Sequence, residues 1–245
     1  MRFKKGNLKV NKIRWRKQIF VNLYLLAVRL EAKLKRAGCA FSEDGYPITP
    51  REMLITDIPD DIEMYPLSKR HQATRPKCTI LCAYENDHEL YRFLRHFDRN
   101  LRDCLNYYGV CGFDLSPRGG MDLSHQRFHL YLNALINAYM AVNGIRVLPN
   151  WRIGDLSTLD ILKIYPRNTT FSVGSLGCAK RYTTINEVIL RTKLMYTCPK
   201  MLVYYGALRK EYRMIIEEFG VPVKIIMDYR TRSYLKSNQR RNCYV

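Results

Sequence analysis

Four carboxylates, Glu85, Asp114, Asp155 and Asp228, each stand where an apolar run gives way to polar residues. If those runs are strands of one sheet, Asp114, Asn150 and Asp155 share a rim with Ser175 and Lys180. Carboxylates gathered in this way hold Mg²⁺, the metal such a set would take, or they split their pKa values and serve as acid and base. An acid at a strand end also caps the helix that follows, so each residue reads singly as a cap and the group reads as a site. The catalytic candidates are Asp114, Asn150 and Asp155. A glycine-bearing loop over 174–181 adds a second chemistry. Gly174, Ser175 and Gly177 free backbone N–H groups ahead of a helix start, and Lys180 and Arg181 add charge, which suits a phosphate or carboxylate. No Gly-Lys-Ser/Thr is present, so the loop is not a Walker A motif.

Other metal and nucleophile patterns are weaker. His125 and His129 share a helix face, but Gln126, Arg127 and Phe128 lie between them, without the glutamate of a zinc protease. Eight cysteines are scattered without a CxxC pair, and Cys78 and Cys82 lack a second ligand pair. That usage fits core thiols of a reducing compartment.

The elements that must position these residues alternate in type. Apolar β-rich runs are expected over 78–84, 110–115, 145–151, 169–173, 201–205 and 223–227. Helices are expected over 87–107, 124–143, about 157–164, 183–196 and 208–219. Alternation at this spacing predicts right-handed βαβ units and the α/β class, a mainly parallel sheet of about six βα units. The sheet is open or a partial, TIM-like barrel, and active residues in either case sit at the C-terminal strand ends. The expected division is a basic arm and amphipathic helix over 1–39 and a mostly irregular wrapping segment over 40–77 that supplies an entry strand or short helices. The α/β domain over 78–228 and a basic tail over 229–245 complete it.

Charge is concentrated at the ends. The chain carries a formal +19, and residues 1–37 hold twelve Lys or Arg against one acid, Glu31. Residues 229–245 hold five bases and no acid, which leaves the 38–228 body at +3. Bases so placed grip a polyanion: Lys4, Lys5, Lys9, Lys12, Arg14, Arg16 and Lys17 at one end, Arg230, Arg232, Lys236, Arg240 and Arg241 at the other. Tyr229, Tyr234 and Tyr244 can stack on bases beside them. The other reading of these ends is a solubilising surface. A helix over 13–37 aligns Ile19, Leu23, Leu26, Leu30 and Leu34 on one face, either for the core or for a partner helix or second copy. The apolar run 19–30 contains Asn22 and Arg29 and is too short to cross a bilayer, and no cleavage site follows it.

The blocks Gly112-Phe-Asp-Leu-Ser116, Leu148-Pro-Asn-Trp-Arg-Ile-Gly-Asp155, Ser172-Val-Gly-Ser-Leu-Gly-Cys178 and Val203-Tyr-Tyr-Gly206 have a familiar order and spacing. They resemble the phage- and mobile-element-associated family catalogued as domain of unknown function 4417, over roughly 78–228. The resemblance implies the cytoplasm of a bacterial host cell and brings no activity with it. It implies Asp114, Ser116, Asn150, Asp155, Ser175, Gly177 and Tyr205 as site residues. The basic N-terminal helix is not part of that pattern. The expected function is nucleic-acid binding through the basic ends. The alternatives are a strand-end enzyme, a metal-assisted hydrolase or phosphodiesterase, and a structural or assembly protein.

Overall fold

A computed structural model describes residues 21–117, 120–174 and 187–235, together with the backbone of 236–242. The first helix, α1 (Leu23–Arg36), begins where Asn22 is extended and its side chain accepts a hydrogen bond from Leu25 N at 3.0 Å. That bond satisfies a donor the first turn otherwise leaves open, so α1 starts at residue 23; the part of the expected helix over 13–20 lies outside the described residues. Leu30 and Leu34 are buried in a core cluster shared with α4 (Leu123–Val142), and Leu23 and Leu26 pack partly buried beside it. A fully buried leucine contributes about 1.5–3 kcal/mol, so Leu30, which the sequence left open to a partner helix, serves to hold α1 on the body. Ile19 lies outside the described residues.

Seven short strands form two parallel sheets. The first runs β1 (Glu63–Pro66), β2 (Thr79–Cys82), β3 (Gly109–Cys111) and β4 (Val147–Leu148); the second runs β5 (Thr170–Gly174), β6 (Met201–Tyr205) and β7 (Val223–Ile226). An isolated parallel bridge between Asn150 and Ser172 joins them. Helices and turns alternate with the strands: α2 (Asp87–Arg95), α3 (Phe97–Cys104), α4, a 3₁₀ segment (Leu156–Ile164), α5 (Glu187–Thr197), α6 (Lys210–Glu218) and α7 (Tyr229–Asn242).

The class is therefore mixed α/β with parallel sheets of four and three strands, and they form no closed barrel among the described residues. β1, within the mostly irregular 40–77, is a four-residue edge strand ending in Pro66, where a missing N–H is tolerated. Two expectations need correction. The single helix expected over 87–107 breaks at His96 (φ −121°, ψ 42°), and the Asn100 amide donates to the Phe93 carbonyl at the break. The expected basic tail is the helix α7, capped by Asp228, whose carboxylate accepts from Arg230 N and Thr231 N at 3.0 Å each.

Strand alternation separates the core into layers. Leu81, Val110 and Val147 face the α1–α4 side, while Phe171, Val173, Leu202 and Tyr204 face α5 and α6. The opposite faces of both sheets meet in a third cluster of Met64, Ile80, Cys82, Cys111, Leu148, Val203, Tyr205 and Ile226. Six cysteines among the described residues are free thiols. No helix among the described residues is long and apolar enough to cross a membrane.

Candidate strand-end site

The bridge between the sheets carries a buried polar chain. Ser172 N donates to Pro149 O at 2.7 Å and Trp151 N donates to Ser172 O at 2.9 Å, which fixes the backbone at the end of β4. The Ser172 hydroxyl donates to Pro149 O at 3.1 Å and lies 2.8 Å from Cys111 Sγ. Burial pushes the Cys111 thiol up to about 12, so it keeps its proton. The Tyr84 hydroxyl donates to Ser172 Oγ at 2.9 Å and, as a longer second branch, to Asn150 Oδ1 at 3.2 Å. That branch orients the Asn150 amide, with Oδ1 toward Tyr84 and Nδ2 away from it.

Two glycines make this approach possible. A Cβ on Gly174 would stand 2.5 Å from the Tyr84 ring, and one on Gly112 would stand 2.7 Å from Asn150 N. Tyr84 is also stacked on Tyr205, with centroids 5.8 Å apart and planes at 21°.

Beyond Asn150 lies an incompletely paired set. Asp114 is buried, with a side chain 4% exposed, and its Oδ1 faces Arg152 Nε at 3.6 Å. Asp114 Oδ1, Arg152 Nε and Asn150 Nδ2 are all buried without a hydrogen-bond partner. Burial pushes the Asp114 carboxyl upward, the Arg152 guanidinium and the Asn150 amide pull it back, Asp87 adds to the rise, and Lys193 opposes it. Lys193 is itself buried: its amine donates to Trp151 O at 2.5 Å and sits 4.1 Å from the Trp151 ring centre. Asn150, Arg152, Asn133, Asn137, Phe113 and Tyr165 line a cavity of about 20 Å³, room for roughly one water. Asn133 is satisfied there by both backbone groups of Leu115, and the Asn137 carbonyl accepts from Phe113 N at 2.8 Å.

The remaining carboxylates do not join Asp114. Asp155 is exposed and paired with Gln126, accepting from Nε2 at 2.6 Å, while its own N–H donates to Gln126 Oε1 at 2.7 Å. Glu85 accepts from the backbone N–H and hydroxyl of Ser68 at a 3₁₀ turn, and Asp228 caps α7. No group of three or more His, Cys, Asp or Glu side chains among the described residues is placed to hold a metal ion. Residues fitting the expected Mg²⁺ are therefore missing from the described rim. Ser116 donates to Asp87 Oδ1 at 3.1 Å, and its carbonyl lies 2.9 Å from His129 Nδ1.

The other candidates divide by position. Gly174 ends β5, whereas Ser175, Gly177, Lys180 and Arg181 lie outside the described residues. So do Lys4, Lys5, Lys9, Lys12, Arg14, Arg16 and Lys17. Arg230 is exposed on α7. Arg232 is held inward, donating to Met64 O at 2.9 Å and lying 4.2 Å from the Tyr65 ring centre, so it is a structural contact and not a free grip on a polyanion. Lys236, Arg240 and Arg241 lie on α7 by backbone alone.

Tyr84, Cys111, Arg152, Ser172 and Lys193 are the residues that sequence reasoning passed over. The run Thr170-Phe-Ser-Val-Gly174 carried a signal, because small polar residues alternate with Phe171 and Val173 as the lining of a buried polar face would.

With this arrangement defined, a sequence model described as domain of unknown function (DUF4417) matches residues 48–230. The chain belongs to that family. The match begins about thirty residues before the resemblance suggested, and so takes in β1 with the rest of both sheets. The family region contains Tyr84, Asp114, Asn150, Arg152 and Ser172 and stops at the start of α7. No curated protein and no solved structure matches the chain.

Proposed function

We propose that this protein binds nucleic acid through its basic ends. The division of charge carries this reading. The bases of α1 are largely matched already: Arg29 and Lys33 with Asp98, Lys35 with Glu31. The surplus is concentrated in residues 1–20, eight bases without an acid, and in the C-terminal segment. Such an excess neutralises backbone phosphates and releases their counterions, with a salt slope of about −0.9 per phosphate on duplex DNA. The α/β body between the ends is read as a curved, partial barrel, and the setting as a phage or mobile element in a bacterial cytoplasm. A fluorescence-anisotropy titration tests the proposal. Binding should fall steeply between about 50 and 200 mM salt, and replacing the eight bases of 1–20 by Gln should weaken it. Absence of binding at low salt, or binding indifferent to those replacements, overturns it.

A second reading, a strand-end hydrolase, rests on the three orphaned buried atoms of Asp114, Asn150 and Arg152. Native sites leave few such atoms unpaired, and catalytic hydrogen bonds are often long before substrate binds. Asp114 is the acid or base in this reading. The activity to seek is phosphodiester hydrolysis, and an Asp114→Asn variant as fast as the parent removes it.

A further inference from the structure

We infer that Arg152 is the anion-binding residue of the strand-end site and that it receives a phosphate oxygen of a nucleotide or nucleic acid. This deepens the nucleic-acid reading, but it does not use the basic ends.

The guanidinium is held from behind and open in front. Its Nε is buried and faces the buried Asp114 at 3.6 Å, while the side chain as a whole remains 21% exposed. The side chain lines the cavity, and its outer N–H groups make no hydrogen bond to any described residue. An arginine oriented by a buried carboxylate presents a preset fork to a planar oxyanion edge.

The neighbours favour an acceptor over a donor. Asn150 Nδ2 is unpaired and turned away from Tyr84, and Asn137 Nδ2 reaches the Tyr165 hydroxyl at 3.5 Å, a long contact. Both belong to residues lining the same cavity as Arg152. Asp114 Oδ1, the nearby acceptor, is turned toward the Arg152 guanidinium at 3.6 Å. The charges of Asp87 and Lys193, which both act on Asp114, are opposite in sign and offset each other. The cavity admits roughly one water-sized atom, so one ligand oxygen enters while the remainder stays outside. A tetrahedral phosphate, with oxygens pointing both into the protein and along the fork, meets these conditions.

The test uses the full chain and inorganic phosphate. Arginines are labelled with phenylglyoxal in phosphate or in chloride at equal ionic strength, and labelling is followed by peptide mass spectrometry. At about ten times Kd, phosphate should slow labelling of Arg152 roughly tenfold and leave exposed Arg36 unchanged. In Arg152→Lys, which keeps the charge and loses the fork, the saturable heat of phosphate binding should disappear. Equal labelling of Arg152 in both salts overturns the inference whether or not the variant folds; undiminished phosphate binding by folded R152K also overturns it. A nucleoside 5′-monophosphate and an oligonucleotide without terminal phosphates separate a terminal phosphate from a backbone diester as the source. Replacing the eight bases of 1–20 should leave Arg152 protection intact, so failure of the basic-end reading is recorded separately.

Discussion

The Tyr84 hydroxyl lies 2.9 Å from Ser172 Oγ and thereby ties the end of β2, in one sheet, to β5 in the other. A single backbone bridge links the sheets at the same point, Asn150 to Ser172. The polar side chains at this junction join the two halves and also orient the amide next to Asp114.

Tyr84→Phe should therefore destabilise the protein by about 1–2 kcal/mol, because it removes one hydroxyl and leaves buried acceptors unmet. Urea unfolding measures this. An unchanged midpoint means that the chain of hydrogen bonds from Cys111 to Asn150 does not contribute to stability.

Gly174→Ala has a different cause and a larger effect. The new methyl would stand 2.5 Å from the Tyr84 ring, which is stacked on Tyr205 and has little room to retreat. A loss of about 1–3 kcal/mol is expected for such overpacking. Coupling is expected as well: in a Tyr84→Ala background the same substitution should cost much less.

Asp114 predicts a pH dependence of known sign. Burial raises its folded pKa above the unfolded value of 3.8. The contribution is then fully present below that value and is lost as pH rises through the folded pKa. Asp114→Asn should gain stability relative to the parent as pH increases from about 4 toward 7, and parallel stability–pH curves would show that Asp114 titrates normally.

The cysteines give a chemical map. Burial raises Cys82 well above its usual range and pushes Cys104 and Cys111 to about 12. Thiolate is the reacting form. Iodoacetamide at mildly alkaline pH should spare these three in the native protein and label all of them in denaturant. Native labelling of Cys111 would contradict its place between Ser172 and Gly112.

Much of the alternation was readable in advance because strand runs such as Met201–Tyr205 are apolar and bounded by Pro199 and Gly206. The position of β1 within 40–77 was not, since Glu63-Met-Tyr-Pro66 is short, begins with an acid and ends with a proline. Of the site, Asp114 and Asn150 were legible as polar residues just past strands. Their distinction from Asp155 was not, because it depends on Gln126 arriving from α4, twenty-nine residues earlier. Arg152 escaped notice for a similar reason: beside so many bases, the sequence carries no mark of the one that points at a buried carboxylate.

The clasp of α7 on β1 sets an order on synthesis. Arg232 reaches Met64 O, and the Tyr229 hydroxyl reaches Gln72, across more than 150 residues of chain. On a ribosome β1 is made more than 150 residues before the helix that covers it, so β1 waits for α7 to emerge from the exit tunnel. A stop codon ahead of Tyr229 would therefore leave β1 without the Arg232 contact to Met64.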